Sequence, residues 1–132
     1  MNEKILIVDD EACLVNLLSR QLAGEGYRTW SAVDAEQAIA LAREHDFDAI
    51  MLDLILKDTS GYGAIRSLKE VSDASILAMT GNADVEIEKD VMLLGADGLI
   101  GKPYDLRRLT SLLQDIISRR EVVNAARAEK AV

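Results

Sequence analysis

The sequence predicts an α/β domain built on a doubly wound, five-stranded parallel sheet with helices on both faces. Two observations predict it. Short, wholly apolar runs alternate with segments whose apolar residues recur at helical spacing, and strands lacking polar alternation are the kind covered on both faces. Residues able to do chemistry then follow those runs directly, at Asp9-Asp10, Asp53, Thr80 and Lys102. The carboxyl ends of parallel strands are where such folds place ligands. A chain of 132 residues fits one domain with a sizeable core, and an apolar content of 49% favours an ordered globule over disorder.

The elements read in order. Ile5 to Val8 is a buried strand. From Glu11 to Ala23, Leu14, Val15, Leu17, Leu18 and Leu22 recur at helical spacing, and Gly24 and Gly26 stop that helix. Tyr27 to Ala32 is strand-like. Asp34 caps the next helix, Gln37 completes a capping-box pattern, and Ala38, Ile39, Leu41 and Ala42 form its inner face. Ala49 to Leu52 is a buried strand that ends at Asp53. Ser60-Gly61 marks a loop, and a helix follows to about Val71. Ile76 to Met79 is a strand ending at Thr80-Gly81. Asp84 to Leu94 is helical and stops at Gly95. Leu99 and Ile100 form a last short strand before Lys102-Pro103. Asp105 opens a helix through Leu106, Leu109, Leu112, Leu113, Ile116 and Ile117. Residues 119–132 are alanine-rich without Pro or Gly, and are expected to extend that helix beyond the core.

Composition excludes some functions. The net charge of −8 argues against direct nucleic-acid binding, which needs a basic face to displace counterions. It is compatible with divalent cations or basic partner surfaces. Cys13 is the single cysteine, so no intramolecular disulfide can form, and a reducing compartment is expected. No signal peptide precedes the first apolar run and no run is long enough to span a bilayer, so a cytoplasmic location away from membranes is expected.

The stretch KILIVDDEA, residues 4–12, poses the chemical question. Three acids crowd the end of a buried strand, where side-by-side carboxylates repel. Asp9, Asp10 and Asp53 at one sheet edge would make a hard-oxygen site suited to Mg²⁺, which offsets that repulsion. Lys102 adds a positive charge able to move between carboxylate and phosphate partners, and Thr80 offers a hydroxyl. Metal, lysine and hydroxyl together would clamp a phosphoryl group, and a carboxylate beside the clamp can attack phosphorus to form an acyl phosphate.

The chain here resembles the receiver domain of two-component response regulators. The resemblance rests on Val8-Asp9-Asp10-Glu11, Asp53 after the third strand, Gly61 beyond it, Thr80-Gly81 after the fourth, and Gly95-Ala96-Asp97 leading to Lys102-Pro103. It implies the flavodoxin-like strand order 2-1-3-4-5 and a receiver over residues 1–118, with 119–132 as a helical extension or linker. It implies that Asp53 takes a phosphoryl group from a sensor histidine kinase or a histidine phosphotransfer protein. Asp10 would hold Mg²⁺ directly, Asp9 directly or through water, and the Ile55 backbone carbonyl would complete the shell. Thr80 and Lys102 would bind phosphoryl oxygens, and a cis Lys102-Pro103 bond would aim the lysine inward. The domain would catalyse only its own phosphorylation and dephosphorylation, and would switch binding to a downstream protein or a fused output domain. A phosphorylation-dependent homodimer is a further expectation.

The sequence departs from the family pattern in places. Leu56-Lys57 stands where Met-Pro is common, and Leu99 stands where an inward-turning aromatic is common. Ile55 and Asn82 occupy the positions that flank the path of hydrolytic water. Simpler readings stand beside these. Asp9 and Asp10 could cap the first helix. Cys13 reads as helix packing, His45 as a cap at a helix end, and Trp30 as partial packing of an edge strand against a helix. The acidic run 84–90 reads first as a solvated face and second as an output surface. Two other functions fit parts of the pattern. One is a Mg²⁺-dependent aspartyl-phosphate hydrolase, although Asp9-Asp10-Glu11 lacks the Asp-x-Asp arrangement. The other is a phosphorylation-independent scaffold, suggested by Lys57 and Leu99.

Overall fold

Alternation of apolar runs and helical segments resolves, in the computed structural model, into ten elements; the structure describes residues 2–56 and 61–131. They are β1 (Lys4–Val8), α1 (Ala12–Gly24), β2 (Arg28–Ala32), α2 (Ala35–Glu44), β3 (Ala49–Asp53), α3 (Gly61–Val71), β4 (Ser75–Thr80), α4 (Val85–Leu94), β5 (Gly98–Gly101) and α5 (Leu106–Ala131). All strand pairs are parallel, in the order β2-β1-β3-β4-β5. This is the doubly wound order expected above. Successive strand residues face opposite sides, so β1, β3, β4 and β5 each feed two core layers, while the edge strand β2 feeds one. Leu6, Val8, Ile50, Leu52, Ile76 and Ala78 pack with Ala38, Ile65, Leu68 and Val91 of α2, α3 and α4. Ile5, Ile7, Met51, Leu77, Met79 and Ile100 pack with Leu18, Leu22, Leu109, Leu113 and Ile116 of α1 and α5. Complete burial of each Ile or Leu in these layers stabilises the fold by about 1.5–3 kcal/mol.

Local chemistry sets the helix ends. The Asp34 carboxylate accepts from Gln37 N at 2.8 Å, while the Gln37 amide oxygen accepts from Val33 N at 3.0 Å. The reciprocal cap is thus shifted one residue outward from the usual box. Asp84 caps α4 by accepting from Ile87 N at 2.9 Å, and Gly95 ends it at φ +113°, a left-handed conformation that suits glycine. Asp105 opens α5 by accepting from Arg108 N at 2.7 Å.

Of the α1 residues at helical spacing, Val15, Leu18 and Leu22 are buried, whereas Leu14 and Leu17 are exposed. A helix lying on a sheet buries one stripe, and Leu14 and Leu17 belong to the flanking stripe, which no neighbouring element covers. Cys13 is exposed as well, so it does not serve packing. The second strand begins at Arg28 rather than Tyr27. Trp30 packs at the C-terminal end of α2, with ring centroids 5.2 Å from His45 and 5.5 Å from Phe47. Arg28 and Lys4 lie over the indole at 5.2 and 5.8 Å. His45 ends α2 through its backbone N–H to Leu41 O. Lys57 and the Ser60 part of the expected loop lie outside the described residues.

The last helix is long. α5 has 26 residues, about 39 Å of helix, and Ile116 and Ile117 are its last residues in the buried layer. Beyond them the helix is tied to the amino-end edge of the sheet. Arg120 donates to Asp73 O at 2.6 Å and pairs with Asp48 at 3.3 Å, and Arg119 donates to Asp97 O at 3.3 Å. Val122 and Val123 are exposed. Among the described residues, no helix is long and apolar enough to cross a membrane.

Gly61 begins α3 against the end of β3, where its N–H donates to Leu54 O at 3.0 Å. A Cβ there would overlap Asp53 O and lie 2.6 Å from Leu54 Cα. Both are backbone atoms that cannot swing aside. We therefore expect Gly61→Ala to lose about 2–3 kcal/mol, the usual cost of overpacking a close contact. Urea denaturation measures this, and a loss no larger than that of Gly63→Ala, where the space is open, would contradict it.

Candidate functional site

The strand order brings four polar residues to one edge. Asp9 follows β1, Asp53 ends β3, Thr80 ends β4 and Lys102 follows β5. The site lies beside the point where successive connections leave the sheet in opposite directions, between β1 and β3. Asp9 and Asp53 are only 5% and 6% exposed. Their oxygens are engaged in the same way. Asp9 Oδ1 accepts from Glu11 N and Asp53 Oδ1 from Ile55 N, each at 3.0 Å. Lys102 Nζ then donates to Asp9 Oδ2 at 3.3 Å and to Asp53 Oδ2 at 3.0 Å. One ammonium thus bridges two buried carboxylates.

This geometry separates the roles of the acids. Glu11 is the N-cap of α1 and makes no side-chain capping bond; Asp9 instead bonds the Glu11 N–H in a tight turn and faces the lysine. Asp9 is therefore not the helix cap that the simpler reading offered. Asp10 is half-buried next to it. Among the described residues, no three His, Cys, Asp or Glu side chains stand gathered as a ready metal cage. The donor chemistry nevertheless fits a hard cation. Two buried carboxylates carry more negative charge than one ammonium cancels, and every donor is oxygen.

The lysine is held from both ends. Its backbone N–H donates to Thr80 O at 2.7 Å, and its bond to Pro103 is cis. Burial pulls its pKa down, but the hydrogen bond and charge of Asp53, and then those of Asp9, outweigh burial and leave it above its ordinary value. Thr80 is buried, and its Oγ1 accepts from Asn82 N at 3.2 Å. Ile55 is 75% exposed at the rim, and Asn82 is exposed too. Leu99 is half-buried and packs into the layer shared with α4. Sequence reasoning did not single out Tyr104. Its ring is half-buried beside the site, and its hydroxyl lies 3.9 Å from Met79 Sδ. Burial raises its pKa, Lys102 opposes that, and Asp9 and Asp53 add to it. An aromatic directly after Lys-Pro was the available signal.

Fold and site together define a class of phosphoryl-accepting signalling domains, and comparison with known proteins agrees. The family model described as the response regulator receiver domain matches residues 5–114. The transcriptional regulatory protein YvrH of Bacillus subtilis (strain 168) is 34% identical over 119 residues, covering 89% of this chain and 50% of that protein. A response regulator from Burkholderia pseudomallei, solved with a phosphorylated aspartic acid, a calcium ion and citrate, aligns with a TM-score of 0.81 and 29% identity. That alignment covers 95% of this chain and 74% of the other. A CheY-like receiver domain protein from Methanospirillum hungatei JF-1 aligns with a TM-score of 0.85 and 25% identity, covering 92% and 98%. The chain belongs to the response regulator receiver domain family, the signalling domains of two-component systems. It spans about half the length of the curated relatives it matches.

The bridging ammonium makes a prediction about stability. Lys102→Met leaves two buried carboxylates without their cation, which we expect to cost about 3 kcal/mol near pH 7. The gap between variant and wild type should narrow at high pH. A raised folded-state pKa means that the stabilisation from Lys102 is fully present below its model value of 10.5 and is lost as pH rises through the folded value. Urea melts of both proteins across this range test it, and a pH-independent gap would count against the bridge.

Proposed function

We propose that Asp53 is the phosphoacceptor, charged from the phosphohistidine of a sensor histidine kinase or a histidine phosphotransfer protein, with Mg²⁺ as the cation. The observation that carries this reading is the Lys102 ammonium spanning the buried carboxylates of Asp53 and Asp9 at the carboxyl edge of the sheet. An Asp53 oxygen attacks phosphorus, an O–P bond forms, the N–P bond to histidine breaks, and the imidazole leaves with the electron pair. As the Asp53 carboxylate becomes an acyl phosphate its negative charge moves outward onto the phosphoryl oxygens. Lys102, already within 3.0 Å of Asp53, is placed to follow that charge. The Thr80 hydroxyl, at the end of the adjacent strand, supplies a donor to another phosphoryl oxygen. Asp9, Asp10, Asp53 and the Ile55 carbonyl would hold Mg²⁺, which when bound offsets the negative charge on the phosphoryl group.

Phosphorylation is then read out by other surfaces, as a shift between two states of the domain. Relatives about twice this length include transcriptional regulators, which supports a downstream partner or a fused output domain as the recipient. Residues 119–132, reached along α5, would serve as the linker or extension toward it, with a phosphorylation-dependent homodimer as one form of output. The cytoplasm, where phosphohistidine donors and a free thiol at Cys13 are compatible, is the setting that this reading favours.

Acetyl phosphate with Mg²⁺ should add a single phosphoryl group, on Asp53, with none on Asp53→Asn. Intact-mass and peptide spectra decide this. Equal labelling of the variant, or full labelling of wild type without the metal, would refute the assignment.

Lifetime of the acyl phosphate yields a further expectation. Ile55 is apolar and exposed beside the Asp53 carboxylate, so it can neither orient nor activate water. Asn82 can hydrogen-bond water but is a poor base. Self-hydrolysis should therefore be slow. Ile55→Asn with Asn82→Glu should shorten the lifetime about tenfold or more, a part of the roughly 10²–10⁴-fold that a positioned acid–base group contributes. Decay after removal of the donor, at fixed Mg²⁺, is the measurement, and an unchanged lifetime would place control of water elsewhere.

A further inference from the structure

The Leu99 side of β5 raises a mechanical question. Leu99 and Gly101 share one face of β5, the face turned toward α4. Thr80 pairs directly with Gly101 in the β4–β5 register, and the Lys102 N–H donates to Thr80 O at 2.7 Å. Gly101 has no side chain, and the β4–α4 connection approaches it closely. A Cβ on Gly101 would lie 3.1 Å from the Ala83 Cβ, closer than carbon atoms normally pack. Ala83 follows the turn in which Thr80 Oγ1 accepts from Asn82 N, and it precedes Asp84, the cap of α4.

We propose that Gly101 is a positioning residue for Thr80: its missing side chain lets Ala83 seat on β5, which sets the Thr80–Asn82 turn and hence where the Thr80 hydroxyl stands. The contact links the end of β5, next to Lys102, to the loop that follows Thr80. This inference rests on the reading of Asp53 as phosphoacceptor and of Thr80 as its phosphoryl ligand.

A reciprocal substitution tests it. Labelling of Asp53 by acetyl phosphate with Mg²⁺ is timed by mass spectrometry, and the Thr80 and Asn82 amide resonances are recorded without any phosphoryl donor. Gly101→Ala should slow labelling on the order of tenfold, because small misplacements of a positioning group cost at least that much. It should also shift both amides. Adding Ala83→Gly to Gly101→Ala removes the opposing methyl, and should restore the amides and bring the rate to within about twofold of wild type. Gly98→Ala is the control. It sits on the opposite face of β5, where an added Cβ meets the side-chain tips of Leu77 and Ile116, and it should label as wild type does. If Gly101→Ala does not fold, Ala83→Val presses the same contact from the exposed loop side and should slow labelling likewise. Wild-type rates and amides in Gly101→Ala, a double variant that fails to recover, or a wild-type rate in Ala83→Val would each overturn the proposal. Absence of labelling on wild-type Asp53 would instead overturn the phosphoacceptor reading, while the amide shifts would still judge the Gly101–Ala83 contact.

Discussion

One ammonium between two buried carboxylates is the constraint on which the rest of the site depends. Asp9 and Asp53 lie at the ends of neighbouring strands, nearly out of water, and would repel each other there. Lys102 reaches both from a strand two places farther along the sheet. The bridge therefore works only if β1, β3, β4 and β5 keep their register. A one-residue slip of any of them would turn every side chain to the other face. The apolar strands are thus the means by which two carboxylates come within 3.3 Å of one ammonium.

The arrangement also explains why charged groups are tolerated in the interior. Each carboxylate has one oxygen on a backbone N–H two residues ahead and the other on the lysine. Desolvation is compensated locally, and no buried side-chain polar atom among the described residues lacks a partner. The same pairing holds Lys102 in its charged form. A charged donor beside the Asp53 carboxylate is what the proposed phosphoryl transfer requires.

Away from this edge the molecule is built differently at its two ends. The carboxyl edge carries the buried Asp9–Lys102–Asp53 bridge, the tight turns after β1 and β3, and the close approach of Gly61 to β3. The amino edge is tied by structural contacts. Asp97 accepts from Lys69 and from Ile76 N at 2.8 Å each, Ser75 donates to Ile116 O, and Arg120 joins α5 to the connections before β3 and β4. These ties hold α5 where it leaves the body, so that its exposed end continues from a fixed starting point. The buried ion bridge and the ties that hold α5 thus lie at opposite ends of the strands.

The sequence by itself determined the alternation of strands and helices, the two-faced burial of the strands, and the residues gathered at the carboxyl edge. Each of these is local, because burial on both faces shows as an unbroken apolar run and a cap shows as Asp34 or Asp84 before a helical pattern. The resemblance to receiver domains rested on ordered residues and needed no coordinates. What the sequence did not reveal depends on neighbours distant in the chain. Cys13 read as helix packing, because helical spacing does not say how wide a stripe the sheet will cover. Asp9 was open to a capping role until the lysine 93 positions away was seen to meet it. The Gly101–Ala83 contact carries no sequence signature, since the absence of a side chain matters only when another backbone comes close. Periodicity and polarity are properties of the chain, whereas which surfaces meet, and at what distance, is decided by packing in three dimensions.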